Sequence, residues 1–183
     1  MNDSEILQTL RFDTKNIPGA LIDEVAPSLR HKTTTKHNLS VIKRTCKAVK
    51  IISESHPACG GFGLFAQRKL RESEWIIDYH GFVTMNGDEC KESDYTYSFA
   101  KRRLVIDGVF GGYGGYANDY RNISSKANAE FYEYVDSTGD LKCAIRVKKG
   151  RCIAKKEEIL INYGKSFWKS RVGNDLGQFL NRI

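Results

Sequence analysis

Four short segments place glycines, tyrosines and an asparagine where they could hold a ligand and orient an amine. They are Gly-Phe-Gly at residues 61–63, Tyr-His-Gly at 79–81, Ala-Asn-Asp at 117–119 and Glu-Ile-Leu-Ile-Asn-Tyr at 158–163. Glycine lets the main chain pass close to a ligand because it has no Cβ. Tyrosine hydroxyls and backbone carbonyls can orient an amine, and aromatic walls suit an aliphatic stem with a charged head.

Each segment taken alone has an ordinary structural explanation. Gly61 and Gly63 can simply form a turn, Tyr79 can be a core aromatic, and Asn118 can be a satisfied loop amide. A dinucleotide-binding loop is not supported, because no six-residue glycine fingerprint leads into a helical pattern. The order and spacing of the four segments therefore carry more information than any one of them.

In that order and at that spacing, the segments resemble the four sequence signatures of the SET-domain lysine methyltransferases. The resemblance covers residues 42–168. It implies methyl transfer from S-adenosylmethionine, the co-substrate, to the side-chain amine of a protein lysine. Histone tails are the usual substrates of the family, so a histone or nucleosome is the first expected partner and other proteins are alternatives.

The resemblance also implies a role for each matching residue. Tyr163 would be the catalytic tyrosine, and Tyr79 would help to orient the lysine. The residues expected to bind the donor are Gly61, Phe62, Gly63, Asn118, Asp119 and Trp168. The residues expected to line the substrate channel are Tyr95, Tyr97, Phe131, Ile161 and Phe167. Phe167 and Trp168 look like the C-terminal lid of the family.

Two positions depart from the family pattern. The chain has Asn118-Asp119 where many members have Asn-His, and Ala127-Asn128 where they have Pro-Asn. The histidine of the family acts largely through its backbone, so we expect Asp119 to be tolerated.

The cysteines bear on the subclass. There are five, an odd number without a C-x-x-C pair, and they are interpreted as reduced thiols. None follows Tyr163, so the zinc-binding segment found in many histone methyltransferases of this family is missing. The chain resembles the small members, and no metal is implied.

The residue pattern predicts a mostly β fold built from short strands. The strand candidates, rich in β-branched and aromatic residues, are 41–52, 64–66, 75–79, 95–99, 103–106, 131–135, 141–147 and 159–163. The segment 141–147 alternates apolar and polar residues and is expected to pair with 131–135 through a turn at 136–140. The resemblance implies short curled sheets, few short helices and a C-terminal pseudoknot.

Length and hydropathy indicate one domain. We expect an N-terminal extension at 1–40 with a helix near 6–12, a SET domain at 41–168, and a tail at 169–183 that forms a short helix. No apolar run approaches the roughly 18 residues of a membrane span, and no signal peptide is recognised. The protein is expected to be nuclear if its substrate is chromatin and otherwise cytoplasmic.

The positive charge is concentrated. The window 25–53 has seven basic residues and no acidic one, so its charge equals the formal net charge of +7 of the whole chain. We expect the 30–50 segment either to contact DNA or to be an ordinary solvated segment. Two other functions stay open at this point: a non-catalytic module that keeps the donor pocket or peptide groove, and a polyanion-binding protein.

Overall fold

The computed structural model describes residues 44–85, 93–99, 104–108, 112–137, 139 and 141–172. The extension 1–40 and its predicted helix at 6–12 lie outside these residues. Of the basic 30–50 segment, only residues 44–50 are described, and of the 169–183 tail only 169–172.

Short strands dominate the described part of the chain, which confirms the mostly β prediction. The strands are β1 (Cys46–Lys50), β2 (Phe62–Ala66), β3 (Trp75–Asp78), β4 (Phe82–Met85), β5 (Thr96–Ser98), β6 (Leu104–Asp107), β7 (Asn118–Asp119), β8 (Ala129–Val135), β9 (Leu141–Val147) and β10 (Leu160–Ile161). They form four small sheets, with strand orders β1-β2, β7-β10, β3-β9-β8 and β4-β6-β5. A 3-10 helix (Tyr113–Tyr116) and the helix α1 (Lys165–Val172) accompany them.

Most strands lie where the sequence predicts them, with differences at their ends. The first is shorter than the predicted 41–52, and the helix expected in the tail begins earlier, at Lys165. β4 and β7 were not predicted. β7 consists of asparagine and aspartate, which are rare in strands, and it forms by parallel pairing with β10. Among the described residues, no helix is both long and apolar enough to cross a bilayer.

The predicted hairpin of β8 and β9 is present, with Phe131 opposite Ile145 and Glu133 opposite Cys143. Gly139 in the turn has a φ of 86°, a conformation that glycine adopts without strain. The predicted half-buried alternation of β9 is only partly correct, because Ala144 is buried as well. β9 is the central strand between β3 and β8, which accounts for the burial of this small side chain.

β10 is held between two earlier parts of the chain. On one side, the Ile159 N–H donates to the Leu64 carbonyl of β2 at 2.7 Å. On the other, Leu160 and Ile161 pair with Asn118 and Asp119 of β7. Ile159 and Ile161 are both buried in the core. This placement delivers the residues that follow β10 to the end of β7.

The side chain of Asn128 also holds the segment 158–160 in place. Its Oδ1 accepts the Leu160 N–H at 2.8 Å, and its Nδ2 donates to the Glu158 carbonyl at 2.8 Å. Asn128 is only 8% exposed. These bonds therefore replace the hydrogen bonds to water that its amide loses on burial. The buried Ala127 before it stands where the family often has proline.

Candidate active site

A cavity of about 450 Å³ collects aromatic side chains from separate parts of the chain. Its lining includes every residue that the sequence analysis assigned to catalysis or to the substrate channel: Tyr79, Tyr95, Tyr97, Phe131, Ile161, Tyr163 and Phe167. Gly114 and Gly115 of the 3-10 helix add backbone to the wall. The folded chain thus brings these side chains together around one space.

Tyr163 follows β10 and is held at three points. Its hydroxyl donates to the Ala117 carbonyl at 3.0 Å, and its backbone N–H donates to Oδ2 of Asp119 at 2.8 Å. Its ring packs edge-on against Phe167, with centroids 4.6 Å apart. Burial, and secondly the charge of Asp119, raises the pKa of Tyr163 far above its usual range. The hydroxyl therefore stays protonated and can act through hydrogen bonds.

Tyr79 lies just after β3 and is 6% exposed. Its hydroxyl donates to the Tyr95 carbonyl, and its ring stands edge-on to Phe131 at 5.1 Å. Burial also raises the pKa of Tyr79. A Cβ on Gly108 would come within 2.7 Å of the Tyr79 hydroxyl, so the glycine there leaves room for the ring.

Phe131 and Ile161 give one part of the cavity an apolar surface. Phe131 packs between the rings of Tyr79 and Tyr97, with centroids 5.1 Å and 4.5 Å away. The Tyr97 hydroxyl donates to Oε1 of Glu133 at 2.9 Å. Because this hydroxyl already donates its hydrogen to a carboxylate, any further hydrogen bond that it makes towards the cavity must be one that its oxygen accepts.

A second polar cluster surrounds the Gly-Phe-Gly segment. Nδ2 of Asn118 donates to the Phe62 carbonyl at 3.2 Å and to Oε1 of Glu158 at 2.8 Å. A Cβ on Gly63 would lie 2.6 Å from the same Glu158 oxygen. Glycine at this position therefore allows the carboxylate to reach Asn118.

His56 completes this cluster. Its Nδ1 accepts the Ala58 backbone N–H at 3.0 Å, so Nε2 carries the hydrogen and donates it to Oε2 of Glu158 at 3.0 Å. The side chains of His56 and Glu158 are only 13% and 10% exposed. The carboxylate is thus fixed from both sides, with its charge close to the Phe62 carbonyl.

The side chain of Asp119 makes contacts that were not predicted from the sequence. Its side chain is 6% exposed and forms an ion pair with Arg121, with Nη1 and Oδ2 2.8 Å apart. It also accepts the backbone N–H groups of Arg121 at 2.9 Å and Tyr163 at 2.8 Å. A histidine could not accept all of these bonds.

Arg121 links this cluster to helix α1. Its Nη1 donates to Oδ1 of Asn162 at 3.2 Å, and its guanidinium lies 5.7 Å from the ring centroid of Trp168. Trp168 packs against Phe167 at 5.2 Å between centroids, and Phe167 contacts Tyr163. The two aromatic residues predicted to form the lid thus connect the cavity with the Asp119–Arg121 pair.

The predicted residues therefore fall into three places. The catalytic and channel residues line the cavity, while Phe62, Gly63 and Asn118 meet at Glu158 and Gly61 directly precedes them. Asp119 and Trp168 both contact Arg121.

Sequence reasoning gave no role to Glu158, His56 or Arg121. A charged residue before the apolar β10 was a signal for Glu158. Nothing local marks His56, which is 102 residues away from its partner.

The described residues thus form an aromatic cavity and a polar cluster around Glu158, which adjoin at Ala117 and Asn118. The family model of the SET domain matches residues 61–164, more than half of the chain. The chain belongs to the SET-domain family, as the sequence analysis predicted. Membership supports a methyltransferase function.

Solved structures support the same fold. The autoinhibited ctPRC2 bound to S-adenosylmethionine is 21% identical with a TM-score of 0.51, covering 75% of this chain and 17% of that one. The polycomb repressive complex 2 of Chaetomium thermophilum is 22% identical with a TM-score of 0.50, covering 68% and 16%. This chain thus spans about a sixth of those chains.

A smaller protein is also similar. A proposed histone methyltransferase of Plasmodium falciparum is 24% identical with a TM-score of 0.47, covering 69% of this chain and 98% of that one. A comparison with curated protein sequences found no match.

Proposed function

We propose that this protein transfers methyl groups from S-adenosylmethionine to the side-chain amine of a protein lysine. The observation that carries the proposal is the aromatic cavity that Tyr79 and Tyr163 line. Aromatic walls suit the apolar stem of a lysine and the cation at its end. SET-family membership supports the choice of methyl transfer over other reactions of an amine.

Lysine must lose a proton before it can attack. Its ordinary pKa is about 10.4, and exclusion of water by the aromatic walls favours the neutral amine. The Tyr163 hydroxyl directs its hydrogen to the Ala117 carbonyl, so its oxygen can accept a hydrogen bond from the amine. Tyr163 thereby orients the amine without competing as a nucleophile, because its raised pKa keeps it neutral.

The cluster around Glu158 fits the amino acid tail of the methyl donor. The Glu158 carboxylate and the Phe62 carbonyl are acceptors suited to an ammonium group. Gly61 and Gly63 allow backbone to approach a ligand closely. When bound, the donor supplies a methyl group carried on a sulfonium. Ala117 lines the cavity and Asn118 belongs to the cluster, so adjacent residues serve the two sites.

Donor binding is expected to stabilise the folded protein. At 100 times its Kd, a ligand that binds only the folded state adds about 2.7 kcal/mol, a rise in melting temperature of about 5–10 °C for a chain of this size. S-adenosylmethionine and S-adenosylhomocysteine at millimolar concentration should both produce such a rise in a thermal-shift measurement. No rise with either compound would contradict a donor pocket.

A matched pair of variants locates the effect. Glu158→Gln removes the charge beside Phe62 and should reduce the rise. Glu133→Gln removes a carboxylate bound to Tyr97 on the other side of the cavity and should leave it unchanged. Equal reductions in both variants would argue against the Glu158 cluster as the donor site.

The main product on a good substrate is expected to be di- or trimethyl-lysine. In the family, a tyrosine at the floor of the channel anchors a water and favours a single methylation. Here the corresponding positions are Ile161 and Phe131, which have no hydroxyl. A water there would lack a partner, at a cost of about 1–3 kcal/mol, so the amine has room to turn after the first transfer.

Phe131→Tyr, or Ile161→Tyr, should shift the product towards monomethyl-lysine in time-resolved mass spectrometry with excess donor. Tyr134→Phe is the control, because the hydroxyl it removes donates to Asp78 and the residue does not line the cavity. It should leave the product distribution unchanged. Only monomethyl product from the unaltered protein would refute the assignment of the floor.

The substrate is proposed to be a histone or nucleosome, which would place the protein in the nucleus; a non-histone protein would allow a cytoplasmic location. Labelled donor supplied with core histones, nucleosomes and total lysate, followed by mass spectrometry, identifies the modified lysine. A non-catalytic module would show donor-dependent stabilisation without labelled product. The conjunction of Tyr79, Tyr163 and the donor cluster favours the enzyme, since a module without turnover does not need all of them.

A further inference from the structure

Two loop segments on the surface are fixed side by side by backbone hydrogen bonds. Residues 68–74 follow β2, and residues 147–156 begin at the last residue of β9. The Leu70 N–H donates to Ile153 at 2.8 Å, and the Ile153 N–H returns a bond at 3.0 Å. The Val147 N–H also donates to the Glu74 carbonyl at 2.9 Å. Leu70 and Ile153 are fully buried beneath the surface and hold it in place.

The exposed side chains of these segments are strongly basic. The first segment carries Arg68, Lys69 and Arg71. The second carries Lys148, Lys149, Arg151, Lys155 and Lys156. All eight are exposed, and the only acidic residues in the two segments are Glu72 and Glu74. We call these eight residues the basic surface; none of them belongs to the 30–50 segment.

The basic surface contains two open hollows. One, of about 470 Å³, is lined by Arg68, Lys69, Arg71 and Glu74. The other, of about 280 Å³, is lined by Lys126 and Arg151 and also by the acidic residues Glu157 and Glu158. Arg68 is paired with Glu74. The segment 147–156 has five basic residues and no acidic one, and Glu157, whose side chain accepts the Ala154 N–H, follows it directly. The excess charge therefore lies mainly on the second segment.

We propose that the basic surface binds the phosphate backbone of duplex DNA, independently of methyl transfer. Positive side chains fixed on a rigid backbone suit the regular negative charge of a duplex, which is bound largely without regard to sequence. Neither segment contains an aromatic residue. Binding of single strands by stacking of bases on aromatic rings is therefore not supported.

Fluorescence anisotropy with a labelled 20-base-pair duplex tests this on the full chain. Affinity should fall as salt rises, since phosphate contacts release counterions. Arg151→Gln/Lys155→Gln should weaken binding about tenfold or more at physiological salt and reduce the logarithmic salt slope by about 2. The comparison variant Lys47→Gln/Lys50→Gln changes two exposed lysines of β1, which lie in the described part of the 30–50 segment. It should have little effect if the basic surface, and not that segment, carries the binding.

Equal losses in the two double variants, or a loss only in the control, would overturn the proposal. Poly-glutamate that binds as tightly as the duplex would also overturn it and would indicate an acidic protein as the partner. A single strand that binds as tightly as the duplex would overturn it as well. The thermal rise with S-adenosylmethionine is measured on the same variants and should be retained. A protein that binds the duplex through Arg151 and Lys155 but shows no such rise would contradict the proposed function alone.

Discussion

Tyr163→Phe is expected to lower the rate of methyl transfer by about a hundredfold or more, the scale of losing one preorganised polar group in an active site. The change removes the hydroxyl that donates to Ala117 and leaves the ring packed against Phe167. Single-turnover assays with labelled donor measure the effect. Stabilisation by S-adenosylmethionine should survive, because the Glu158 cluster does not include the Tyr163 hydroxyl.

Tyr134→Phe is the matched control. Its hydroxyl also donates to a protein oxygen, Oδ1 of Asp78 at 2.8 Å, but the residue does not line the cavity. It should keep nearly the full rate. Burial raises the pKa of Tyr163, so between pH 7 and 9 the rate of the unaltered protein should increase with deprotonation of the lysine. A near-normal rate for Tyr163→Phe would show that this tyrosine is structural.

The sequence predicted much of the fold because local pattern and tertiary placement agree in the longer strands. β8 and β9 have β-branched and aromatic residues and a glycine turn between them, so propensity alone indicates a hairpin. β7 and β10 are two residues each and exist through pairing with distant segments. Such pairing leaves little signal in the local sequence. For this reason β7 was not predicted, and the strand predicted at 159–163 is longer than β10.

The candidate site divides in the same way. Tyr79, Tyr163 and the channel aromatics could be named because the family signatures fix their positions, and all of them line one cavity. Ala117 and Asp119, which hold Tyr163, belong to those signatures, but Arg121 and His56 do not. His56 contacts Glu158, which is far away in sequence. Arg121 contacts Asn162, also distant, and pairs with Asp119, where this chain departs from the family. Only the folded chain reveals these contacts.

Asp119→Ala is expected to be among the most destabilising single substitutions in this chain. It leaves the buried Arg121 guanidinium without its partner, and breaking a buried ion pair typically costs about 3–5 kcal/mol. The Tyr163 backbone N–H loses its acceptor as well. For a chain of this size the melting temperature should fall by about 6–20 °C. Thermal denaturation followed by circular dichroism measures this.

Asp119→Asn and Asp119→His separate charge from geometry. Asparagine keeps an oxygen for the Tyr163 N–H but not the charge opposite Arg121, so its loss of stability should be intermediate. Histidine is the residue that many family members have here, yet it cannot accept the bonds from Arg121 and Tyr163 together. It should therefore destabilise about as much as alanine. A histidine variant as stable as the unaltered protein would mean that the carboxylate is dispensable and that Tyr163 is positioned by its hydroxyl and by Phe167 alone.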